Sequence, residues 1–280
     1  MNASVFSKEC TQTFSSDLAC ERRRADTAAM GVSYSCERCP CGNWERINIF
    51  SEEGSESIGR PMGNYDTLNT KRLDTLDFDE ADDAKNEISS ELCTLLEKNR
   101  IFPSRILVVG LGNEALAPDA VGPYSAALIK PTMHISAADK KMFDGLECSE
   151  IAVIKPGVLT SSGMESADFV KSICQSISPD AVIAIDALAS RAPERLGTTV
   201  QICDTGIFPG AGLGNRSKAI NRDFLGVPVI AIGVPTVIDS RMFGGEITGM
   251  FVAPKDINAI ANSAAKIIAG GINQAFGIDF

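Results

Sequence analysis

Ile106-Leu-Val-Val-Gly-Leu-Gly-Asn-Glu-Ala-Leu-Ala-Pro-Asp-Ala-Val-Gly-Pro123 is the stretch from which the fold of this chain is read. Its short apolar opening gives way to small and polar residues, the pattern of a parallel strand buried on both faces. A second stretch of the same kind, Ala181-Val-Ile-Ala-Ile-Asp-Ala-Leu-Ala-Ser-Arg191, has its apolar run closed by Asp186. In an open α/β sheet the carboxyl ends of such strands form the rim where ligands bind. Asp119 and Asp186 are each delivered to that rim, and as a pair they are a candidate reaction centre. A single aspartate after a strand more often caps the next helix. The pair in its flanking sequence carries the reading.

Working outward, strands are expected near 105–110, 151–154, 181–185, 198–203 and 228–233. Helices are expected near 119–130, 165–177, 215–224 and 255–276, the last with Ile257, Ile260, Ala261, Ala264, Ile267 and Ile268 on one face. This alternation predicts an α/β fold with a mostly parallel central sheet and helices on both faces. Upstream, Gly31 to Phe50 reads as a hairpin turning at Cys39-Pro-Cys-Gly-Asn43. A glycine-rich segment with Gly54, Gly59 and Gly63 follows, with a short helix between. The acidic run from Asp74 to Glu87 leads into an amphipathic helix ending near Asn99. Residues 1–17 are polar and read as an extension.

The chain has 280 residues, 44% apolar and 22% charged, with a net charge of −10. That charge argues against binding nucleic acid or an anionic membrane and suits a neutral or basic protein partner. No basic-then-apolar signal pattern and no apolar run of transmembrane length is present, so a cytoplasmic protein is expected. Nine cysteines are scattered along the chain, and most should be reduced thiols. Cys36, Cys39 and Cys41 have the spacing of half a zinc site, yet no second Cys or His pair supplies a fourth ligand. A cysteine-rich hairpin tip is the simpler reading. His134 is the only histidine, so any Ser-His-Asp or Cys-His arrangement would have to use it.

Gly110-Leu-Gly-Asn-Glu-Ala115 matches a loose dinucleotide fingerprint. The second strand and terminal acid that such a site requires are missing from Pro131 to Asp139, and Pro118 interrupts the helix. Gly112 and Asn113 are read instead as a sharp turn that approaches a ligand closely. The strand-end loop from Ile202 to Asn215, with Asp204, Thr205 and Gly206, offers backbone for a peptide groove. Gly233 to Asp239 reads as a fourth loop on the same rim.

Two carboxylates about 4 Å apart repel by roughly 4 kcal/mol at an effective dielectric near 20, about 3 pK units. One is then held protonated while the other acts as a base. Such a pair can activate water against an amide and protonate the leaving nitrogen. The same acids can instead hold a divalent metal, although catalytic zinc usually takes three good protein ligands. Both readings stay open, and no cofactor is expected.

At these residues the sequence resembles the germination protease family of endospore-forming bacteria. The resemblance runs through Ser16-Asp-Leu-Ala19, Glu52-Glu-Gly54, Ile58-Gly59, Gly63-Asn-Tyr65, Val108-Val-Gly-Leu-Gly-Asn113 and Pro118-Asp-Ala120. It continues through Ile183-Ala-Ile-Asp-Ala-Leu-Ala-Ser-Arg191, Asp204-Thr-Gly206, Gly226 to Thr236, and Ala269-Gly-Gly-Ile-Asn273. It implies a core fold like that of hydrogenase-maturation endopeptidases, with Asp119 and Asp186 as the essential acids. It also implies a self-processing zymogen that assembles as a homotetramer and degrades small acid-soluble spore proteins in the spore core. The family target, Ser/Thr then an acid, a large apolar residue and Ala, is met by Ser16-Asp-Leu-Ala19. Cleavage is therefore expected between Asp17 and Leu18, making residues 1–17 a propeptide seated as an internal pseudo-substrate. Residues 18–280 would be one peptidase domain: an N-terminal hairpin and helical part to residue 100, then the core sheet. Phe208 stands where the resemblance leads one to expect a histidine, and the segment from Asp239 to Phe251 is shortened. A catalytically silent sporulation protein on the same scaffold, binding a peptide or protein partner, is the alternative.

Overall fold

The structure, a computed structural model, describes residues 16–22, 30–210, 217–243 and 250–278. The expected hairpin forms from β1 (Val32–Cys39) and β2 (Gly42–Ile49), followed by α1 (Glu52–Ile58). Next comes β3 (Gly63–Thr70), a strand the sequence reading passed over. The long helix α2 (Phe78–Lys98) is opened by a reciprocal cap between Asp77 and Glu80, which satisfies donors at its N-terminus. Then follow β4 (Arg105–Gly110), a 3-10 turn (Ala117–Asp119), and α3 (Val121–Leu128). The stretch around His134 holds α4 (Met133–Ala138) and α5 (Lys140–Asp144), before β5 (Glu150–Ile154). After α6 (Leu159–Ser162) and α7 (Ser166–Ile177) come β6 (Ala181–Ser190) and β7 (Thr199–Cys203). The expected helix at 215–224 is only α8 (Arg222–Leu225) among the described residues. The chain then runs through β8 (Val229–Asp239), β9 (Phe251–Val252) and α9 (Ile257–Ala275).

One sheet joins all of these strands in the order β1-β2-β3-β7-β8-β6-β4-β5, with β9 added to β8. The β5-β4-β6-β8 part is parallel, as the alternating pattern requires. The strands beyond β8 are antiparallel, so the sheet is mixed rather than parallel throughout. The reason is local. β3 pairs with β7 from Tyr65↔Cys203 to Asn69↔Thr199, which grafts the N-terminal hairpin onto the core sheet.

Helices cover both faces. On one, Ile88, Leu92 and Leu95 of α2 and Ala264 and Ile268 of α9 pack on Ile106, Val108, Ile183, Ile185, Ile202 and Ile232. On the other, Ala167, Val170 and Cys174 of α7 meet Leu107, Val109, Val182 and Ala184. Each fully buried Ile or Leu of this kind contributes about 1.5–3 kcal/mol of transfer free energy.

Two strands run further than their apolar stretches suggest. Asp186 does not end its strand: β6 continues to Ser190 because β8 continues beside it, from Asp186↔Gly233 to Ser190↔Ile238. For the same reason Gly233 to Asp239 is strand, not a rim loop. Pro235 is tolerated because the register breaks there. Leu188 pairs with Pro235 and Ala189 with Val237, which leaves Thr236 as the extra residue of a bulge.

Candidate active site

Asp119 ends the 3-10 turn that follows β4. Its carboxylate accepts the Asn113 N–H at 2.9 Å, and its backbone carbonyl accepts the same N–H at 3.1 Å. Gly112 makes this closure possible. It sits at φ +109, and a Cβ there would lie 2.2 Å from the Asp119 carbonyl oxygen. From the far side, the buried Thr236 hydroxyl donates to the Pro118 carbonyl at 2.6 Å. The bulge in β8 aims this hydroxyl at the turn.

Asp186 is 4% exposed, inside β6, and accepts its neighbour Ala187's N–H at 2.9 Å. Burial holds its carboxyl well above the ordinary range, and the charge of Asp119 raises it further. The Ala187 N–H opposes this, and Asp17 adds a smaller push upward. Burial also raises Asp119, against the Asn113 N–H. Asp186 therefore senses the charge of Asp119 in a site whose burial disfavours a second negative charge.

Asp119, Asp186, Gly112 and Asn113 all line one cleft of about 540 Å³, together with Glu165 and Lys218. The structure thus brings these four site residues together. It places Thr205 and Gly206 elsewhere, in a separate small cavity of about 30 Å³ with Asp17, Arg60, Gln201 and Phe208. Asp204 lines neither space. Its carboxylate accepts from the Asn64 N–H at 2.8 Å, the Asn64 side chain at 2.6 Å and the Asn99 side chain at 2.9 Å. This acid ties β3 and the end of α2 to β7. Asn215 lies outside the described residues.

Ser16, Leu18 and Ala19 are fully buried. Asp17 donates its N–H to the Ala189 carbonyl at 2.9 Å, and its carboxylate accepts the Ala189 N–H at 2.9 Å. Arg60 stands 3.6 Å from that carboxylate and donates to the Ser16 carbonyl at 2.8 Å. Burial pushes Asp17 up, opposed by the Ala189 N–H and by Arg60. Gln201 reaches the same segment with both ends of its amide. Glu21 closes it by accepting from the Ser190 hydroxyl and from the Arg191 N–H at 2.7 Å. Asp17 and Leu18 are expected from the sequence, whereas Arg60, Gln201 and Thr236 emerge only in the fold. A polar residue inside an apolar strand was the only sign available for the last two. Residues 1–15 of the expected propeptide lie outside the described residues.

Cys39 ends β1 and Cys41 lies in the hairpin turn, with their sulfurs 3.9 Å apart, and Cys36 is exposed. His134 is exposed on α4. Among the described residues no three His, Cys, Asp or Glu side chains converge as metal ligands, and no helix is long and apolar enough to cross a membrane.

A mixed sheet flanked by helices, with Asp119 and Asp186 lining one cleft, defines an α/β protein that carries a pair of acids at its candidate site. A family model described as germination protease matches residues 22–249. The germination protease of Clostridium perfringens (strain ATCC 13124) is 34% identical over 271 residues, covering 82% of each chain. That of Caldanaerobacter subterraneus subsp. tengcongensis is 40% identical over 226 residues, covering 80% of this chain and 69% of the relative. That of Bacillus subtilis is 40% identical over 192 residues, covering 68% and 52%. Among solved structures, a nickel–iron hydrogenase maturation protease from Thermococcus kodakarensis aligns with 65% of this chain and 99% of its own. The identity there is 17% and the TM-score 0.37. The chain belongs to the germination protease family and is by that membership a spore peptidase.

Proposed function

We propose that this chain is an endopeptidase in which Asp119 and Asp186 work as an acid–base pair on a peptide laid in the cleft. The observation that carries the reading is their shared cleft, with Asp186 raised by its own burial and by Asp119. Asp186, the more buried, starts protonated; Asp119 starts ionised and takes a proton from the attacking water. The leaving nitrogen receives the proton of Asp186. The substrate class is small acid-soluble spore proteins, and the place of action is the spore core. The chain is made as a zymogen, cleaves itself between Asp17 and Leu18, and works as a homotetramer. Support for the self-cleavage is the seating of Ser16 to Ala19 against β6 and β7. Gly112 and Asn113 shape the acid-bearing end of the groove, while Thr205 and Gly206 border the pocket beside Asp17.

The test is turnover of a peptide carrying Ser-Asp-Leu-Ala by the full chain. Asp119→Asn and Asp186→Asn should each lower kcat by about 10³-fold or more while the fold persists. Indifference of the wild-type rate to chelators favours the proton-sharing pair; loss on chelation and recovery with metal would replace it with metal-assisted hydrolysis. A wild-type chain that binds the peptide without cutting it would point to the silent scaffold instead.

A further inference from the structure

We infer that Gln201 is a further catalytic residue, whose side-chain amide holds the carbonyl oxygen of the peptide bond to be cut. The inference rests on the reading above, that the Asp17–Leu18 bond is cleaved at the Asp119–Asp186 pair. Gln201 Oε1 accepts the Ala19 N–H at 2.9 Å, and Gln201 Nε2 donates to the Asp17 carbonyl at 3.3 Å. The orientation of the amide is forced. A backbone N–H can only donate, so the oxygen must face Ala19 and the NH₂ must face Asp17. That carbonyl belongs to the Asp17–Leu18 bond.

The sheet puts this donor in register with Asp186. Gln201 and Asp186 are both Cα partners of Gly233, one across β7–β8 and the other across β6–β8. Directly paired residues point to the same face. Here that face is opposite the one occupied by Val200, Ile202, Ile183, Ile185 and Ile232, which belong to the α2–α9 core. Two strand spacings of about 4.8 Å put some 10 Å between the Gln201 and Asp186 backbones. Gly233 contributes no side chain of its own, and the room this leaves is taken by Leu188 of β6, whose Cδ1 would lie 2.5 Å from a Cβ at Gly233. The row therefore reads amide, Leu188 side chain, acid. Residues 16–19 lie over it, anchored at one side by Ala189 and at the other by Gln201.

The chemistry follows from the row. Asp119 takes a proton from water, and the water oxygen bonds to the Asp17 carbonyl carbon. The carbonyl π pair moves onto oxygen, where the Gln201 N–H meets the developing charge. The pair then returns, the C–N bond breaks, and the Leu18 nitrogen takes the proton from Asp186. One water is consumed; an acid at Asp17 and an amine at Leu18 are formed. A donor at 3.3 Å from the ground-state carbonyl can tighten as that oxygen becomes an anion, which is how an oxyanion donor lowers a barrier.

The test uses the full chain and follows loss of residues 1–17 by intact mass, alongside turnover of an added Ser-Asp-Leu-Ala peptide. Gln201→Glu keeps the acceptor for Ala19 and removes the donor; Gln201→Met keeps the size and removes both, covering the case in which the extra carboxylate disturbs folding. The expected result is a fall of about 10²–10³-fold in self-processing and in kcat, with KM moving far less and the thermal transition retained. Variants that process at the wild-type rate, or that raise KM with kcat unchanged, would make Gln201 a clamp only and overturn the inference. Asp186→Asn run in parallel separates the two levels. If it stays active, the acid-pair reading fails first; if it is dead while both Gln201 variants are fully active, only the role of Gln201 fails. A wild-type chain that cuts neither itself nor the peptide would sink both.

Discussion

Asp186 has almost no solvent and a carboxylate for a neighbour, so its neutral form is the one the fold accommodates. A group whose folded pKa is raised contributes stability that is fully present below its unfolded pKa and is lost as pH rises through the folded value. Asn imitates the neutral acid. Asp186→Asn should therefore be more stable than wild type at pH 7, with the gap shrinking as pH falls toward about 4. Urea midpoints measured across that range check it, and a variant less stable than wild type at neutral pH would contradict it. At this scale the sequence was informative about the acids, since strand composition puts Asp119 and Asp186 near one rim. It was silent about Gln201 and Arg60. Each acts only through a segment more than 35 residues away in the chain, as Gln201 with Ala19 (182 residues apart) and Arg60 with Ser16 (44 apart) illustrate.

Among the elements, the bulge in β8 and the polar strand β3 are what sequence patterning failed to resolve. A Pro inside a run reads as a break, so Pro235 made β8 look like a loop. The structure instead uses the irregularity to turn Thr236 toward the Pro118 carbonyl. Thr236→Val should loosen the turn carrying Asp119 and cut kcat by about 10-fold or more, and Thr236→Ser should restore it. Equal kcat values for Val and Ser would remove this positioning role. β3 was missed because Asn64-Tyr-Asp-Thr-Leu-Asn-Thr70 is too polar to look half-buried, yet Asp66 and Thr67 are 2% and 1% exposed. Asp66 faces Glu91 of α2 with Arg46 of β2 between them, 3.5 Å from Asp66 and in contact with Glu91. Burial, then the hydrogen bond with Glu91 and its charge, push Asp66 up to about 7, against Arg46 and Lys98. By the same sign rule, this contact favours the fold at low pH and loses its contribution as pH climbs from about 4 to about 7. Asp66→Asn should flatten that part of the stability profile. An unchanged slope in denaturant titrations would show that Asp66 does not carry the proton.

For the molecule as a whole, the alternation of strands and helices from Arg105 onward was legible, and five core strands fell where the apolar runs put them. The mixed sheet was not, because antiparallel addition through β3 and β7 depends on partners some 130 residues apart. Nor was the seat of residues 16–22, which only the assembled β6, β7 and α1 regions create. The assembled surface is what unites an acid cleft, a bound acidic-apolar segment and an amide donor on one face of one sheet.

The central claim, that Asp119 and Asp186 are halves of a single hydrolytic centre, is tested most directly by a double-mutant cycle on peptide turnover. Groups that act as a unit are strongly non-additive. The two single Asn variants and the double variant should all fall to about the same residual kcat/KM. Losses that multiply, with the double variant lower by the product of the singles, would contradict a shared centre.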